Sequence, residues 1–239
     1  MKWYEILPWD SEFFDFKVAR IINPMMSGDQ LASTLDMLRK IKIRLAYWPA
    51  NAVIKDTDKT LLRYGGKLVA TNLTYVAELA KSTSPYADNQ VSEYNDSLDR
   101  EAFIDLAVES GKYSRFNRDA NIPKKKFIEL YRIWAKKSIS RERAKKILVI
   151  REATGELAGF ITLSGDLDTG RIGLIAVDEQ FRNRKYGTAL VSSANSWFTQ
   201  KGYKRSAVIT QEDNVAACAV YEKCGYAAEA TSHYYHFWL

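Results

Sequence analysis

The chain of 239 residues has two cysteines, two histidines and five prolines. Cys218 and Cys224 both fall in one short helical segment, at a spacing that suits neither a zinc knuckle nor a redox pair, so they read as packing residues. His233 and His236 lie three residues apart in the strand-like stretch Ser232-His-Tyr-Tyr-His-Phe-Trp-Leu239. On a strand such residues point to opposite faces and cannot share a metal, so no metal is expected. There is no Gly-x-Ser-x-Gly elbow, which sets aside Ser-His-Asp chemistry of the hydrolase kind, and the scarcity of His and Cys argues against Cys-His nucleophiles. No apolar run approaches the ~18 residues of a membrane span, and charge at Lys2 and Glu5 comes too early for a signal peptide. The expectation is a cytoplasmic protein without a membrane partner.

Hydrophobic residues make up 46% and charged residues 27% of the chain, the balance of an ordinary globular protein. The net charge of +6 and pI near 9.1 favour an acidic partner, either nucleic acid or a phosphorylated small molecule. The basic stretches Lys124-Lys-Lys126 and Ser140-Arg-Glu-Arg-Ala-Lys-Lys146 are broken by acidic and helix-forming residues. They read as solvated helix faces, and no nucleic-acid partner is expected.

Composition shifts to polar residues with Pro85 between Ala80 and Ser97, which divides the chain into 1–80, a linker at 81–97 and 98–239. In the first part the pattern predicts extended segments at Trp3 to Leu7 and Phe16 to Ile22. A helix from Gly28 to about Leu45 follows, capped by Ser27 and apolar at Leu31, Leu35, Leu38, Ile41, Ile43 and Leu45. Next come a strand at Ala46 to Trp48, a helix from Thr57 to Tyr64 stopped by Gly65-Gly66, and a strand from Lys67 to Leu79. Beyond the linker, helices are predicted at Leu98 to Glu109 and, after Pro123, at Lys124 to Ser138. Strands at Lys146 to Arg151 and Leu157 to Ser164 form an antiparallel hairpin, with a third strand at Arg171 to Val177. A helix from Lys185 to Gln200 carries the stripe Leu190, Val191, Ala194, Trp197 and Phe198. A strand at Tyr203 to Thr210, a helix at Val215 to Lys223 and a strand at Tyr226 to Trp238 close the chain. The fold class is mixed α/β with a mainly antiparallel sheet.

The chemistry concentrates where Ile172-Gly-Leu-Ile-Ala-Val177 leads into Gln180-Phe-Arg-Asn-Arg-Lys-Tyr-Gly-Thr-Ala-Leu190. A strand running into a basic loop that opens a helix offers N–H groups and positive charge to a diphosphate. Arg182-x-x-Lys185-x-Gly187, Asn214-x-x-Ala217-x-x-x-Tyr221 and Tyr221-x-x-x-Gly225-Tyr226, in this order of elements, resemble the GNAT acyltransferases. The resemblance implies a GNAT fold over the C-terminal three-fifths, preceded by a partial GNAT-like α/β module, with acetyl-CoA as cosubstrate. It assigns Arg182, Asn183, Arg184, Lys185, Tyr186, Gly187 and Thr188 to the coenzyme pyrophosphate, and the main chain of Leu174, Ile175, Ala176 and Val177 to the pantetheine amides. Lys185 stands where the family usually has its first glycine, so its side chain either points away from the phosphates or binds them. Tyr221 matches the position that donates a proton to the departing thiolate. Tyrosine is protonated at pH 7, with an ordinary pKa of about 10. Asn214 either caps its helix or, with Ala217, lines the coenzyme site.

More specifically, the chain is similar to the dTDP-fucosamine acetyltransferase branch. The residues that carry this are Trp9-Asp-Ser-Glu-Phe-Phe-Asp-Phe16, Ser114-Arg-Phe116 ahead of a helix with Tyr131 and Trp134, Arg171-Ile-Gly-Leu174, and Thr210-Gln211 before Asn214. The similarity implies acetylation of the 4-amino group of a nucleotide-linked 4-amino-4,6-dideoxyhexose. Ser114, Arg115, Phe116, Thr210 and Gln211 become acceptor-site candidates, with Arg115 or Arg118 meeting the second diphosphate. The competing reading of Ser114 to Phe116 is a buried structural turn. No carboxylate in Arg171 to Val177 serves as general base, and the strand from Lys67 to Leu79 offers Thr71, Asn72 and Thr74 before Glu78. A water chain, another residue, or an amine that binds neutral fills that role. Two alternatives stay open: an N-acetyltransferase acting on a protein or other amine, and a non-catalytic acyl-CoA-binding sensor. The six tryptophans and the aromatic last strand suit a homodimer interface as well as a core.

Overall fold

Periodicity and end signals build most elements of this protein. In the computed structural model, which describes residues 3–54, 58–79, 90–95 and 100–239, ten strands alternate with eight α-helices. The strands are β1 (Tyr4–Ile6), β2 (Val18–Ile21), β3 (Leu45–Ala50), β4 (Lys67–Glu78), β5 (Val91–Glu93), β6 (Lys146–Arg151), β7 (Leu157–Asp166), β8 (Thr169–Val177), β9 (Arg205–Gln211) and β10 (Ala227–Trp238). The helices are α1 (Pro8–Phe14), α2 (Gly28–Lys40), α3 (Lys59–Tyr64), α4 (Arg100–Ser110), α5 (Arg115–Arg118), α6 (Lys124–Ile139), α7 (Tyr186–Gln200) and α8 (Val215–Lys223). Two compact units result. One holds Met1–Asn72, Arg118–Asn121 and Thr231–Leu239, the other Leu73–Asn117 and Ile122–Ala230.

In the first unit the strand order is β1-β2-β3-β10-β4. β2 and β3 run parallel, while β10 pairs antiparallel with β3 from His233↔Ala50 to Trp238↔Leu45. Helix α2 begins at a complete capping box, in which Ser27 accepts from the Gln30 N–H and Gln30 accepts from the Ser27 N–H. Its apolar face, Leu31, Leu35 and Leu38, packs on Ile21, Trp48, Tyr235 and Phe237. The helix ends at Lys40 and not near Leu45. Lys42 turns left-handed (φ 61°), the Ile43 N–H reaches back to the Leu38 carbonyl at 3.0 Å, and Leu45 already pairs in β3. Ile43 keeps the helical period in sequence but is buried beyond the helix end. Helix α1, which no sequence pattern singled out, starts on Pro8 and buries Phe13 and Phe14.

A buried polar cluster also belongs to this unit. The Asp119 carboxylate accepts from His236 Nδ1 at 2.6 Å, Trp238 Nε1 at 2.9 Å and the Asn121 N–H at 2.9 Å. Asp119 is 4% and His236 1% exposed, so this charge is satisfied entirely by protein groups.

In the second unit the order is β4-β9-β8-β7-β6-β5. Strand β6 is apolar at consecutive positions because both its faces are covered. Ile147 and Val149 pack with α4 and α6 (Phe103, Ile104, Ala135), while Leu148 and Ile150 pack with α7 (Leu190, Val191, Ala194, Phe198). The sequence linker is interrupted by β5, which pairs antiparallel with β6 from Val91↔Ile150 to Glu93↔Leu148. Three residues are too few to show a period, and the edge of β6 supplies the backbone partners that make them a strand. The rest of the linker assignment, at 80–89 and 96–97, lies outside the described residues. Strands β7 and β8 extend to a tight turn at Leu167-Asp168, each two residues longer on the turn side than the pattern implies, with their outer ends at Leu157 and Val177 as expected.

Candidate active site

Strand β8 has two neighbours, and the way it leaves one of them defines the site. It pairs parallel with β9 from Thr169↔Arg205 only as far as Ile172↔Val208. Beyond that point β8 continues to Val177 and β9 to Gln211 without pairing to each other. On its other side β8 stays paired with β7 across a bulge: Ile161 faces Ile175 and Leu163 faces Ile172, so Gly173 and Leu174 together oppose Thr162. The Thr162 hydroxyl accepts from the Leu174 N–H at 2.7 Å and holds the extra residue in place. A Cβ on Gly173 would stand 2.8 Å from that hydroxyl oxygen, so the bulge requires glycine here. Gly173 lies within the Arg171-Ile-Gly-Leu174 motif, while Thr162 has only its place as a lone Thr within Phe160-Ile-Thr-Leu163 as a cue in the sequence. The main chain of Leu174, Ile175, Ala176 and Val177 thus borders a cleft, with side chains alternating between the two cores. Ile175 and Val177 pack toward α7 and α8, and Leu174 and Ala176 toward α4 and α6.

At the end of β8 a 3-10 turn, Glu179–Phe181, is capped by the Asp178 side chain and leads into the basic loop. Asn183 and Lys185 are both left-handed, with φ of 64° and 63°. Asparagine tolerates that conformation, but lysine does so at a cost of about 1 kcal/mol or more, which is the reason a glycine is favoured at this position. Lys185 is the N-cap of α7 and offers no side-chain cap, and the first helical bond is Ala189 N–H to Lys185 carbonyl at 3.0 Å. The N–H groups of Tyr186, Gly187 and Thr188 therefore point out of the helix start without intrahelical acceptors. Alternating left-handed residues before a helix gather such donors into an anion-binding concavity.

The loop's cations differ in what they do. Arg182 donates from Nε to the Val177 carbonyl at 3.3 Å, tying the loop back to β8. Arg184 pairs with Glu152 at 3.1 Å, and the Tyr186 hydroxyl donates to the same carboxylate at 2.8 Å. The Lys185 ammonium group makes no hydrogen bond or ion pair among the described residues.

Helix α8 runs alongside. Asn214 is its N-cap, accepting from the Ala217 N–H at 3.4 Å, so the capping alternative holds for this residue. Ala217 packs against the core, and the Gln211 carbonyl accepts from the Asn214 N–H at 2.9 Å, which joins the end of β9 to the helix. Thr210 is buried on β9. Tyr221 is 2% exposed, its ring 5.8 Å from those of Tyr75 and Tyr226. Its hydroxyl makes no hydrogen bond among the described residues. Burial pushes its pKa well above the ordinary value, with the neighbouring Tyr226, Cys218 and Cys224 adding to the effect. The proton therefore stays on the oxygen throughout the physiological range. Glu78, the first acid of β4, is engaged by Arg205 at 2.9 Å.

Among the acceptor candidates, the Ser114 hydroxyl is enclosed beside Tyr131. Phe116 is buried with its ring edge-on to Trp134, and the Arg115 guanidinium lies over the Phe116 face at 4.2 Å. The structure thus gathers the loop, the open part of β8, Asn214 and Tyr221 in one unit, and places Ser114 and Phe116 within the packing of α5 on α6.

The Acetyltransferase (GNAT) family model matches residues 103–226, more than half of the chain. The chain is 27% identical over 141 residues to the spore coat polysaccharide biosynthesis protein SpsD of Bacillus subtilis, a match covering 59% of this chain and 48% of SpsD. It therefore spans about half the length of that relative. It is 25% identical over 107 residues to Acetyltransferase YE1169 of Yersinia enterocolitica, covering 43% of this chain and 76% of that protein. The GCN5-related N-acetyltransferase from Sphaerobacter thermophilus shares its fold with a TM-score of 0.62 at 14% identity, over 98% of this chain and 75% of that one.

Proposed function

Because the chain belongs to the GNAT acetyltransferase family, we propose that it transfers the acetyl group of acetyl-CoA to the 4-amino group of a nucleotide-linked 4-amino-4,6-dideoxyhexose, with dTDP as the nucleotide. The observation that carries acetyl transfer is the parting of β8 from β9 after Ile172 and Val208. It leaves those main-chain N–H and C=O groups of β8 beyond Ile172 that neither β7 nor the Thr162 and Arg182 side chains engage for the amides of the pantetheine arm, as an added strand would use them. The N–H groups of Tyr186, Gly187 and Thr188 meet the diphosphate at the start of α7.

In this reading acetyl-CoA supplies the activated acyl group, and the amine attacks it directly in a ternary complex. Tyr221 holds a proton for the sulfur as it leaves. Burial raises the basicity of a thiolate as it raises that of the phenolate, so donor and acceptor stay matched inside the cleft. A main-chain N–H of β8 beyond the bulge, other than that of Leu174, which the Thr162 hydroxyl holds, is suited to the carbonyl oxygen of the acyl group as charge develops on it. The amine must arrive neutral, and the reading needs no carboxylate base to accept its proton directly.

The sugar acceptor is supported by the resemblance around Trp9 to Phe16 and Ser114 to Phe116, and by the part SpsD's name gives that protein in polysaccharide biosynthesis. Arg115 serves the second diphosphate, its guanidinium lying over the Phe116 ring. The test is free-thiol release from acetyl-CoA over a panel of dTDP- and UDP-linked 4-amino sugars beside a panel of amine-bearing peptides. Turnover on the dTDP-linked 4-amino-4,6-dideoxyhexoses alone is expected. Turnover on peptides in place of sugars would replace the acceptor and keep the acetyl transfer.

A further inference from the structure

No hydrogen bond aims the Tyr221 hydroxyl. The residue is 2% exposed and its hydroxyl has no partner among the described residues, yet the oxygen is not one of the fully enclosed unpaired polar atoms, so it reaches open space. Its direction is therefore set by the packing of its ring. Two tyrosines supply that packing, each with its ring centroid 5.8 Å from that of Tyr221. Tyr226 is fixed at its far end, where its hydroxyl donates to Asn195 Oδ1 at 2.6 Å and lies 2.5 Å from Ser206 Oγ. Tyr75, on β4, is fixed by a different contact: it is 2% exposed, and its hydroxyl donates to Glu222 Oε1 at 2.8 Å. Burial, with Glu222 and Cys218 beside it, raises the Tyr75 pKa, so it keeps the proton it donates. Glu222 follows Tyr221 directly in α8 and is exposed. One hydrogen bond to a charged acceptor thus reaches past the Tyr221 ring and ties β4 to the last turn of the helix that carries it.

We propose that Tyr75 is a positioning residue for acetyl transfer: locked by its hydrogen bond to Glu222, its ring holds the Tyr221 hydroxyl in the direction of the departing sulfur. This rests on the reading of Tyr221 as general acid, and it adds a residue outside the span 103–226 that the family model matches. A reacting group displaced by about 1 Å costs on the order of 10²-fold in rate. The loop and the open part of β8, which hold the coenzyme in the same reading, do not include Tyr75 or Glu222. Loosening the Tyr75 ring therefore lowers kcat and leaves the affinity for acetyl-CoA as it was.

Thiol-release rates of the full chain, with an amine of the panel above that is turned over, and calorimetric titration with acetyl-CoA test this in a set of variants. Tyr75→Phe is expected to lower kcat about tenfold or more, with the Kd for acetyl-CoA within about twofold of the wild type. Glu222→Ala should do the same, whereas Glu222→Gln, which keeps an oxygen to accept from the Tyr75 hydroxyl, should hold kcat within about threefold. In a Tyr221→Phe background no proton remains to be aimed, and adding Tyr75→Phe should lower kcat by less than about a further twofold. Tyr75→Phe removes only an oxygen bonded to an exposed carboxylate, so the variant should fold, and an unchanged circular dichroism spectrum checks it. A kcat of Tyr75→Phe within twofold of the wild type, an equal loss with and without the Tyr221 hydroxyl, or an equal loss in Glu222→Gln and Glu222→Ala overturns the proposal and leaves Tyr221 as the acid. Wild-type kcat in Tyr221→Phe alone, or no turnover with any amine of the panel, overturns the acid reading and the proposal together.

Discussion

Replacing Tyr221 with Phe deletes one oxygen from a ring that is 2% exposed, and its consequences for folding and for catalysis separate cleanly. The hydroxyl has no hydrogen-bond partner among the described residues, so the variant forfeits no bond in the free protein. The hydroxyl is not among the fully enclosed unpaired polar atoms, so its removal strands no buried group and is close to neutral. For a chain of this size a change of 1 kcal/mol moves Tm by roughly 2–4 °C, so Tm should stay within about 3 °C of the wild type. The Kd for acetyl-CoA should also be unchanged. In the proposed mechanism the same oxygen delivers the leaving-group proton, and loss of a general acid lowers kcat by about 10²- to 10⁴-fold. Because burial raises the Tyr221 pKa above its ordinary value, the wild-type kcat should show no falling limb from this group up to about pH 10. Thermal melts, calorimetry and initial rates of thiol release between pH 6 and 10 measure these quantities. A kcat within threefold of the wild type would remove Tyr221 from the chemistry, and a tenfold change in Kd would make it a binding residue.

Three further outcomes are expected. Lys185→Gly relieves a left-handed side-chain conformation, a gain of about 1–2 kcal/mol offset by about 0.5–1 kcal/mol of added chain entropy; a slightly higher Tm together with weaker coenzyme A binding is expected, and a drop in Tm would contradict the strain. Thr162→Val leaves the Leu174 N–H without its acceptor at the bulge, so denaturant unfolding should show a loss of about 1–3 kcal/mol, accompanied by a lower kcat. Burial alone would raise the pKa of Asp119, but the hydrogen bonds from His236, Asn121 and Trp238 hold it below the ordinary carboxylate value. With its folded pKa below the unfolded one, its contribution is complete above about pH 5 and is lost as pH falls through the folded value. Asp119→Ala should cost about 3–5 kcal/mol at pH 7 by stranding His236 and Trp238, and should flatten the fall of Tm below about pH 4; an equally steep acid transition in the variant would argue against this.

What was legible in the sequence depends on short-range rules. The Ser27 capping box, the Asn214 cap, the stripe of α7 and the apolar run of β6 all follow from interactions within a few residues or from a simple period, and all stand in the structure. Most of the order of strands and helices followed with them, apart from α1, α5 and β5, and the sequence also marked the loop and Tyr221 as candidates. The same rules carried α2 too far, because the spacing of Ile41, Ile43 and Leu45 cannot reveal that Lys42 turns left-handed and that Leu45 is claimed by β10. They missed β5, whose three residues are a strand only because β6 has an edge to offer. They could mark Lys185 as a departure from a glycine pattern but not show a φ of 63°, which decides that the departure is strained. The distribution of two strands, β4 and β10, between the units and the parting of β8 from β9 are settled by pairing between segments distant along the chain. Local propensity is nearly the same whether a backbone N–H finds a neighbouring strand or faces a cleft, so only the tertiary arrangement could turn a recognisable motif into an open site.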